Sequence, residues 1–328
     1  MIVITGGAGF IGSNLTAALE ARGERDLVVC DRLGHGDKWR NLAKRELAYI
    51  VPPDRLMEFV DAHAREVGAV FHMGAVSATT ETDADAIIAA NFTLSLRLWD
   101  WCARHGVRFF YASSGATYGA GEAGFDDEGS PAALARLRPL NPYGWSKHLF
   151  DRRVARLAER KAAQPPQWVG CKFFNVYGPN EYHKGAMRSV VTQFYPLAKS
   201  GAPAPLFRSY RADVADGGQR RDFIYVRDCV EMLLWLYDHP EVSGLFNIGS
   251  GKARSFAELA AALYRAAGRE PEIEFVEMPA AIRDKYQYFT EAPLAKLRRA
   301  GYAAPTVSLE DGIADYVRNF LAASDPYR

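Results

Sequence analysis

Tyr143 and Lys147 stand four residues apart in the segment NPYGWSK, within a stretch whose pattern predicts a helix from Pro142 to Arg160. That spacing sets both side chains on one helix face, a turn apart. A phenol ordinarily titrates near about 10 and is a poor base at neutral pH. A neighbouring ammonium favours the phenolate and brings its pKa down, so the pair is a candidate acid/base centre. The spacing alone is common and equally suits a solvated helix face; the segment YASSGATYG gives it context. There Ser114 closes an apolar, aromatic-rich run, at the carboxyl edge where ligands bind in parallel sheets. Its hydroxyl can hydrogen-bond a reacting oxygen.

A second constellation opens the chain. ITGGAGFIG places Gly6, Gly7, Gly9 and Gly12 between an apolar run and an amphipathic one. Glycines allow a tight turn and a close backbone approach to a pyrophosphate, whose charge the first amides of the following helix receive. Asp31 ends the second apolar run, about 20 residues on, where a dinucleotide fold expects an acid for the ribose hydroxyls. That favours NAD. Arg32 and Lys38 follow and could neutralise a 2′-phosphate, which favours NADP. The residues leave both open.

These groups need a scaffold. Apolar runs at 2–5, 27–30, 47–51, 69–73, 107–113 and 168–174 read as buried strands, and helical patterns at 11–22, 54–66, 83–105 and 142–160 fall between them. Strict alternation predicts an α/β fold, a doubly wound parallel-sheet Rossmann domain with right-handed crossovers. Beyond residue 174 the rhythm breaks. Residues 175–221 read as loop-rich, followed by helices at 228–238 and 255–267 and a strand at 245–249. The expected division is a dinucleotide-binding domain at 1–174 plus about 222–243, and a smaller, loop-rich α/β substrate lobe at 175–221 and 244–328.

Bulk properties narrow the function. Among 328 residues the net charge is +1, so no global field points to nucleic acid or a membrane surface. No apolar run approaches a spanning helix, and the first residues lack the length and cleavage site of a signal peptide. The four cysteines (Cys30, Cys102, Cys171, Cys229) are scattered without metal-ligand spacing, so buried reduced thiols, a cytoplasmic location and no metal are expected.

TGGAGFIG, FHMGA, YASSGATYG, NPYGWSK, FNVYGP and RRDFIYVRD together resemble, in order, the motifs of extended short-chain dehydrogenases/reductases acting on nucleotide sugars, over residues 4 to about 228. Within that superfamily, FFNVYGPNEYHKGAMRSV (173–190), DRLGHGDKWRNL and KYQYFT (285–290) resemble the ADP-L-glycero-D-manno-heptose 6-epimerase family, with HKG the most discriminating piece. The resemblance implies oxidation at carbon 6 of the heptose with bound NADP, rotation of the transient ketone, and reduction on its other face. Tyr143 and Lys184 are then the two acid/base groups, assisted by Lys147 and Ser114. It implies cofactor contacts at Gly6, Gly9, Phe10, Ile11, Gly12, Asp31, Arg32, Lys38, Met73, Gly74, Ala75, Val76, Ser77, Tyr143, Lys147, Val176 and Lys184. Substrate contacts map to Ser114, Asn175, Ala186, Gln193, Phe207, Arg208, Ser209, Tyr210, Arg221 and Tyr286, with Arg221 suited to grip a diphosphate in bidentate fashion. The implied partner is a small nucleotide sugar, and the implied assembly a homo-oligomer.

Three departures stand out. Gln193 occupies a position where the pattern expects histidine. Pro53 stands where a basic side chain would help a cofactor phosphate. RADVADGG (211–218) reads as an insertion at the mouth of the substrate site. Of the rival readings, a 4,6-dehydratase would want an acidic pair where Gly115 and Ala116 stand. A carbon-4 epimerase gives no reason for Lys184 in its HKG setting, and a non-catalytic dinucleotide-binding regulator would be expected to lack Tyr143 or Lys147. His72 is expected to serve packing or backbone bonding, and Trp99 and Trp101 to face the core or a neighbouring subunit.

Overall fold

Strands Ile2–Thr5 (β1), Leu27–Cys30 (β2) and Ala69–His72 (β4) are buried at every residue, as strands in a sheet covered on both faces must be. In the computed structural model, which describes residues 1–283 and 286–328, they form the centre of a seven-stranded sheet. Tyr49–Val51 (β3), Arg108–Ser114 (β5), Trp168–Phe173 (β6) and Gly244–Ile248 (β10) complete it, in the order β3-β2-β1-β4-β5-β6-β10. All its pairings are parallel. The chain builds outward from β1 to β3, then returns to place β4 on β1's other side. The crevice at the carboxyl ends of β1 and β4 is therefore the switch point where such sheets bind ligands.

Alternate residues of one strand feed different cores. Val3, Val28, Val70 and Phe109 pack with Trp99, Trp101 and Phe150 on one face. Ile4, Leu27, Phe71 and Phe110 pack with Leu15, Leu19, Leu233 and Leu236 on the other. Trp99 and Trp101 are wholly buried, so of their two expected surroundings the core is the one found; Trp101 Nε1 donates to Asp61 Oδ1 (2.7 Å). The four cysteines are buried and unpaired. No helix among the described residues is long and apolar enough to cross a membrane.

The smaller lobe has its own core, including Val191, Phe223, Leu263 and Tyr316. A three-stranded sheet (Asn175–Tyr177, β7; Arg220–Tyr225, β9; Ala253–Ser255, β11) and a two-stranded one (Ala204–Phe207, β8; Ile273–Val276, β12) support it. Residues 175–221 thus carry more regular structure than their composition suggests. Helix Val190–Ser200 forms despite an internal Pro196, because Ser189 caps it and Val191 and Ala198 bury against the lobe. Strand 244–248, read as part of the lobe, is instead the edge strand of the large sheet beside β6. The helical pattern at 83–105 divides into Ala84–Ile88, a π-turn at Ala89–Thr93 and Leu94–His105.

Candidate active site

At the end of β1 the backbone turns sharply at Gly6 (φ 64°) and enters helix Phe10–Ala21, whose N-terminus has no side-chain cap. Its first amides are left for an anion. A Cβ at Gly12 would lie 2.2 Å from the Gly6 carbonyl oxygen, so glycine is required for the turn to close on the helix. Beside it opens a cleft of about 480 Å³, adjoined by a second of about 530 Å³ that shares Gly6, Asp31, Gly74 and Ala75 with it. The first is lined by Gly6, Gly9, Phe10, Ile11, Gly12, Asp31, Lys38, Met73, Gly74, Ala75, Ser77, Tyr143, Lys147, Val176 and Lys184. Arg32 and Val76 line the second, together with Pro53. Asp31 is already well supplied: it accepts from Ala8 N (2.9 Å), Arg32 N (2.7 Å) and Lys38 Nζ (2.6 Å). The glycine cradle, the free helix amides and this mixed acidic and basic rim fit a dinucleotide.

The opposite wall is the helix Pro142–Glu159. Asn141 caps it by accepting from Gly144 N (2.8 Å), and Pro142 occupies its first turn. A Cβ on Gly144 would lie 2.8 Å from the Ala116 carbonyl oxygen, so the helix start packs directly on the turn following Ser114. This brings Tyr143, Lys147 and Ser114 to one cleft. Burial raises the Tyr143 phenol above its ordinary value, opposed by a hydrogen bond with the Ser114 side chain. Burial lowers Lys147 to about 8, opposed by the Asp151 carboxylate one turn on. The expected depression of the phenol by Lys147 is therefore not what the protein alone produces: removal from water outweighs it. Behind the lysine, Asp151 accepts from Tyr111 (2.9 Å), Ser113 (2.7 Å) and the buried Lys172 (2.8 Å).

Lys184 approaches from the smaller lobe. Its Nζ lies 5.4 Å from the centre of the Phe10 ring, at the glycine turn. Its segment is pinned to the large domain by Asn41 Nδ2, which donates to Ala8 O (2.9 Å) and Asn180 O (3.0 Å), and by Asn180 Nδ2, which donates to Ser13 Oγ (3.0 Å).

The remaining substrate candidates do not line these clefts. Gln193 Nε2 donates to the carbonyls of Ala186 (3.3 Å) and Arg188 (2.6 Å), so both Gln193 and Ala186 belong to the closure of the Lys184 segment. Asn175 pairs with Phe223 in β7–β9, next to Val176 of the cleft and two residues from Arg221 across the ladder. Arg221 is 7% exposed and stacks its guanidinium over Tyr286 (5.2 Å) and Phe256 (5.7 Å). Phe207 meets Tyr286 at 6.0 Å. Arg208 pairs with Asp216 of the insertion (3.3 Å), which also accepts from Ser209 N (2.7 Å). Tyr210 N donates to Tyr288 Oη (2.9 Å), and its hydroxyl to Glu277. These six form a second cluster at the end of β8 and in the residues just after it, on β9 and at residue 286. Lys285 of the KYQYFT segment lies outside the described residues.

Sequence reasoning missed several groups. His183, Met187, Ser113 and Phe174 also line the cleft; His183 was visible in the HKG segment itself. Asn91 gave no signal within its helical pattern. In the structure it clamps Val76 through both backbone groups (2.8 and 2.9 Å) and donates to Ser146 Oγ (3.0 Å) on the Tyr143 helix. His72 bonds Thr5 Oγ1 (2.7 Å) and Ser95 Oγ (3.0 Å), two side chains, where packing or backbone bonding was expected. Burial lowers its pKa to about 3, and it stays neutral.

The profile of the NAD dependent epimerase/dehydratase family matches residues 2–249. This chain belongs to that family. Among its relatives are the ADP-L-glycero-D-manno-heptose-6-epimerases of Nitratidesulfovibrio vulgaris (strain DP4), 49% identical, and Fusobacterium nucleatum, 46% identical, each matched over the full length of both chains. The Helicobacter pylori enzyme of that name superposes with a TM-score of 0.78 at 26% identity, covering 97% of this chain and 95% of its own. A Thermus thermophilus UDP-glucose 4-epimerase, solved with NAD, superposes with a TM-score of 0.72 at 28% identity over 95% and 96% of the two chains. A nicotinamide dinucleotide is thus the cofactor class of the NAD dependent epimerase/dehydratase family to which the cleft conforms.

Proposed function

We propose that the chain interconverts ADP-D-glycero-D-manno-heptose and ADP-L-glycero-D-manno-heptose by inverting carbon 6. The observation that carries this reading is that Tyr143 and Lys184 come from different lobes to line one cleft beside the glycine turn. Inversion needs a proton carrier for each orientation of a ketone, and two such groups answer that need. Tyr143 Oη takes the proton from the carbon-6 hydroxyl in one orientation, with Ser114 Oγ holding the sugar oxygen and Lys147 Nζ fixing the nicotinamide ribose. After the ketone turns, Lys184 Nζ gives a proton to the oxygen of the other orientation; reversal exchanges the roles. The bound nicotinamide supplies removal and return of hydride, and its positive ring favours the Tyr143 phenolate that burial opposes. Arg221, with Phe207 and Tyr286, is suited to the nucleotide diphosphate. We read the smaller lobe, from 175–221 and the chain after β10, as the substrate lobe.

For the cofactor we propose NADP. Lys38 already neutralises the acid that would otherwise repel a 2′-phosphate, and Arg32 adds a second cation at the rim of the adjoining cleft. NADP is expected to bind at least about tenfold tighter than NAD, a difference of about 1.4 kcal/mol; equal affinities reject this choice. The activity itself is tested by incubating the purified protein with ADP-D-glycero-D-manno-heptose and resolving the product diastereomers. Conversion to the L-glycero form is expected. Turnover of UDP-glucose to UDP-galactose instead would favour carbon-4 chemistry. The same preparation, analysed by light scattering, tests the expected homo-oligomer.

A further inference from the structure

Glu181 is wholly buried, three residues before Lys184. A buried carboxylate is costly unless its oxygens are filled. Its hydrogen bonds come from neutral donors: Ser189 N (2.5 Å), Ser189 Oγ (2.6 Å), Thr192 Oγ1 (2.6 Å), Tyr316 Oη (3.3 Å) and Gly178 N (3.4 Å). Gly178 and Ser189 are the two ends of the segment that carries Lys184. Thr192 belongs to the capped helix that follows, and Tyr316 to helix Leu309–Tyr316. The Glu181 carbonyl also accepts from Lys184 N (3.1 Å). One side chain therefore draws the segment shut with Lys184 on its crown, where Gly185 (φ 55°) turns the chain back.

We propose that Glu181 is the positioning residue of the second acid/base group: it closes the loop that presents Lys184 to the cleft, and its uncancelled negative charge keeps the Lys184 amine able to hold a proton there. The inference rests on the reading of Lys184 as a proton carrier. Neutral donors fill the carboxylate without cancelling its charge, and in a poorly solvated site that charge reaches the lysine. Burial lowers the Lys184 amine, and Glu181 is the charge that opposes it. The other titratable groups around Lys184 are Tyr182 and His183 on its own segment, Asp31 and Lys38 after β2, Tyr143 and Lys147 on the facing helix, and Tyr316 behind Glu181. Among these described residues and Glu181 itself, Glu181 and Asp31 are the carboxylates, Tyr143 bringing negative charge only as its phenolate, and Asp31 is paired with Lys38.

The test compares the pH dependence of kcat for the wild type, Lys184→Ala, Glu181→Gln and Glu181→Asp, with cofactor affinity and Tm measured on each. Lys184→Ala is expected to lose about 100-fold or more in kcat and the pH limb that lysine contributes. Glu181→Gln is expected to move that limb to lower pH by about one unit, because the amine loses the charge that favours its proton, and so to lower kcat by up to about tenfold at pH values above the limb. Glu181→Asp, whose carboxylate withdraws by one methylene, is expected to shift the limb the same way by less; it carries the test alone should the glutamine variant not fold. A limb that stays in place in every folded Glu181 variant, while Lys184→Ala is crippled, overturns the proposal: Glu181 would then be structural only. A wild-type rate in Lys184→Ala would instead remove the reading of Lys184, and this inference with it.

Discussion

At the scale of residues, the folded protein by itself disfavours the charged forms of both Tyr143 and Lys147: the phenol is pushed up and the amine down, both by removal from water. Tyr143→Phe keeps the ring and its packing while deleting the proton carrier. It is expected to lower kcat by about 10²–10⁴-fold with cofactor affinity nearly unchanged, measured by steady-state kinetics and cofactor titration. Lys147 makes a separate prediction about stability. Its folded pKa, about 8, lies below its ordinary 10.5, so below pH 8 the folded state carries a buried charge that the unfolded chain solvates. That cost disappears as pH rises from 8 to 10.5, because the folded lysine loses its proton first. In the cofactor-free protein Lys147→Met is therefore expected to be more stable at pH 7 by on the order of 2 kcal/mol, the advantage vanishing near pH 10.5. Thermal unfolding across pH reads this directly, and a constant difference would contradict it.

At the scale of elements, the position of the Tyr143 helix is decided where it starts. The helix itself was legible from Pro142 onward, and its observed bounds, Pro142–Glu159, differ from the expected ones by one residue. What could not be read was that Gly144 rests on the Ala116 carbonyl. Gly144→Ala has the helix propensity in its favour, yet the added Cβ must push the helix away from Ser114. A loss of about 1–3 kcal/mol and a fall in kcat larger than any change in cofactor affinity are expected, by chemical denaturation and kinetics. The π-turn at Ala89–Thr93 shows the same limit. Its residues continue a helical pattern, and the extra residue in the turn is visible only as Asn91 reaching Val76 and Ser146. The helix Val190–Ser200 was hidden by Pro196 and by the glycines and prolines around it, and is secured by a cap and by burial against the lobe.

At the scale of the whole molecule, the two lobes are joined by buried polar contacts as well as by packing. Asp228, on helix Val226–Asp238, accepts from Val307 N (2.8 Å) through Oδ2, while Oδ1 is buried without a partner among the described residues. Burial raises its pKa from 3.8 to about 6. The folded protein keeps this proton up to about pH 6 while the unfolded chain has released it, so the group's contribution is present below pH 3.8 and is lost as pH rises through 6. Asp228→Asn retains an acceptor for Val307 and cannot ionise. Its Tm is expected to match the wild type near pH 4 and to exceed it above pH 6, by the equivalent of about 1–2 kcal/mol.

The sequence by itself determined the parallel, doubly wound sheet, the glycine turn and the Tyr143–Lys147 pair. Each of these is written in local periodicity or in residues close along the chain, where strand burial, turn geometry and helix spacing leave few alternatives. The tertiary structure alone decided that strand 244–248 completes the large sheet and that Glu181 closes the loop carrying Lys184; that Lys184 shares one cleft with Tyr143 was expected only from the family resemblance, not from spacing. Those outcomes depend on side chains far apart in sequence sharing the same small, water-poor volume, and no spacing rule encodes such a meeting. They depend also on the balance between burial and charge, which sets the Tyr143 and Lys147 acidities and exists only once solvent has been excluded.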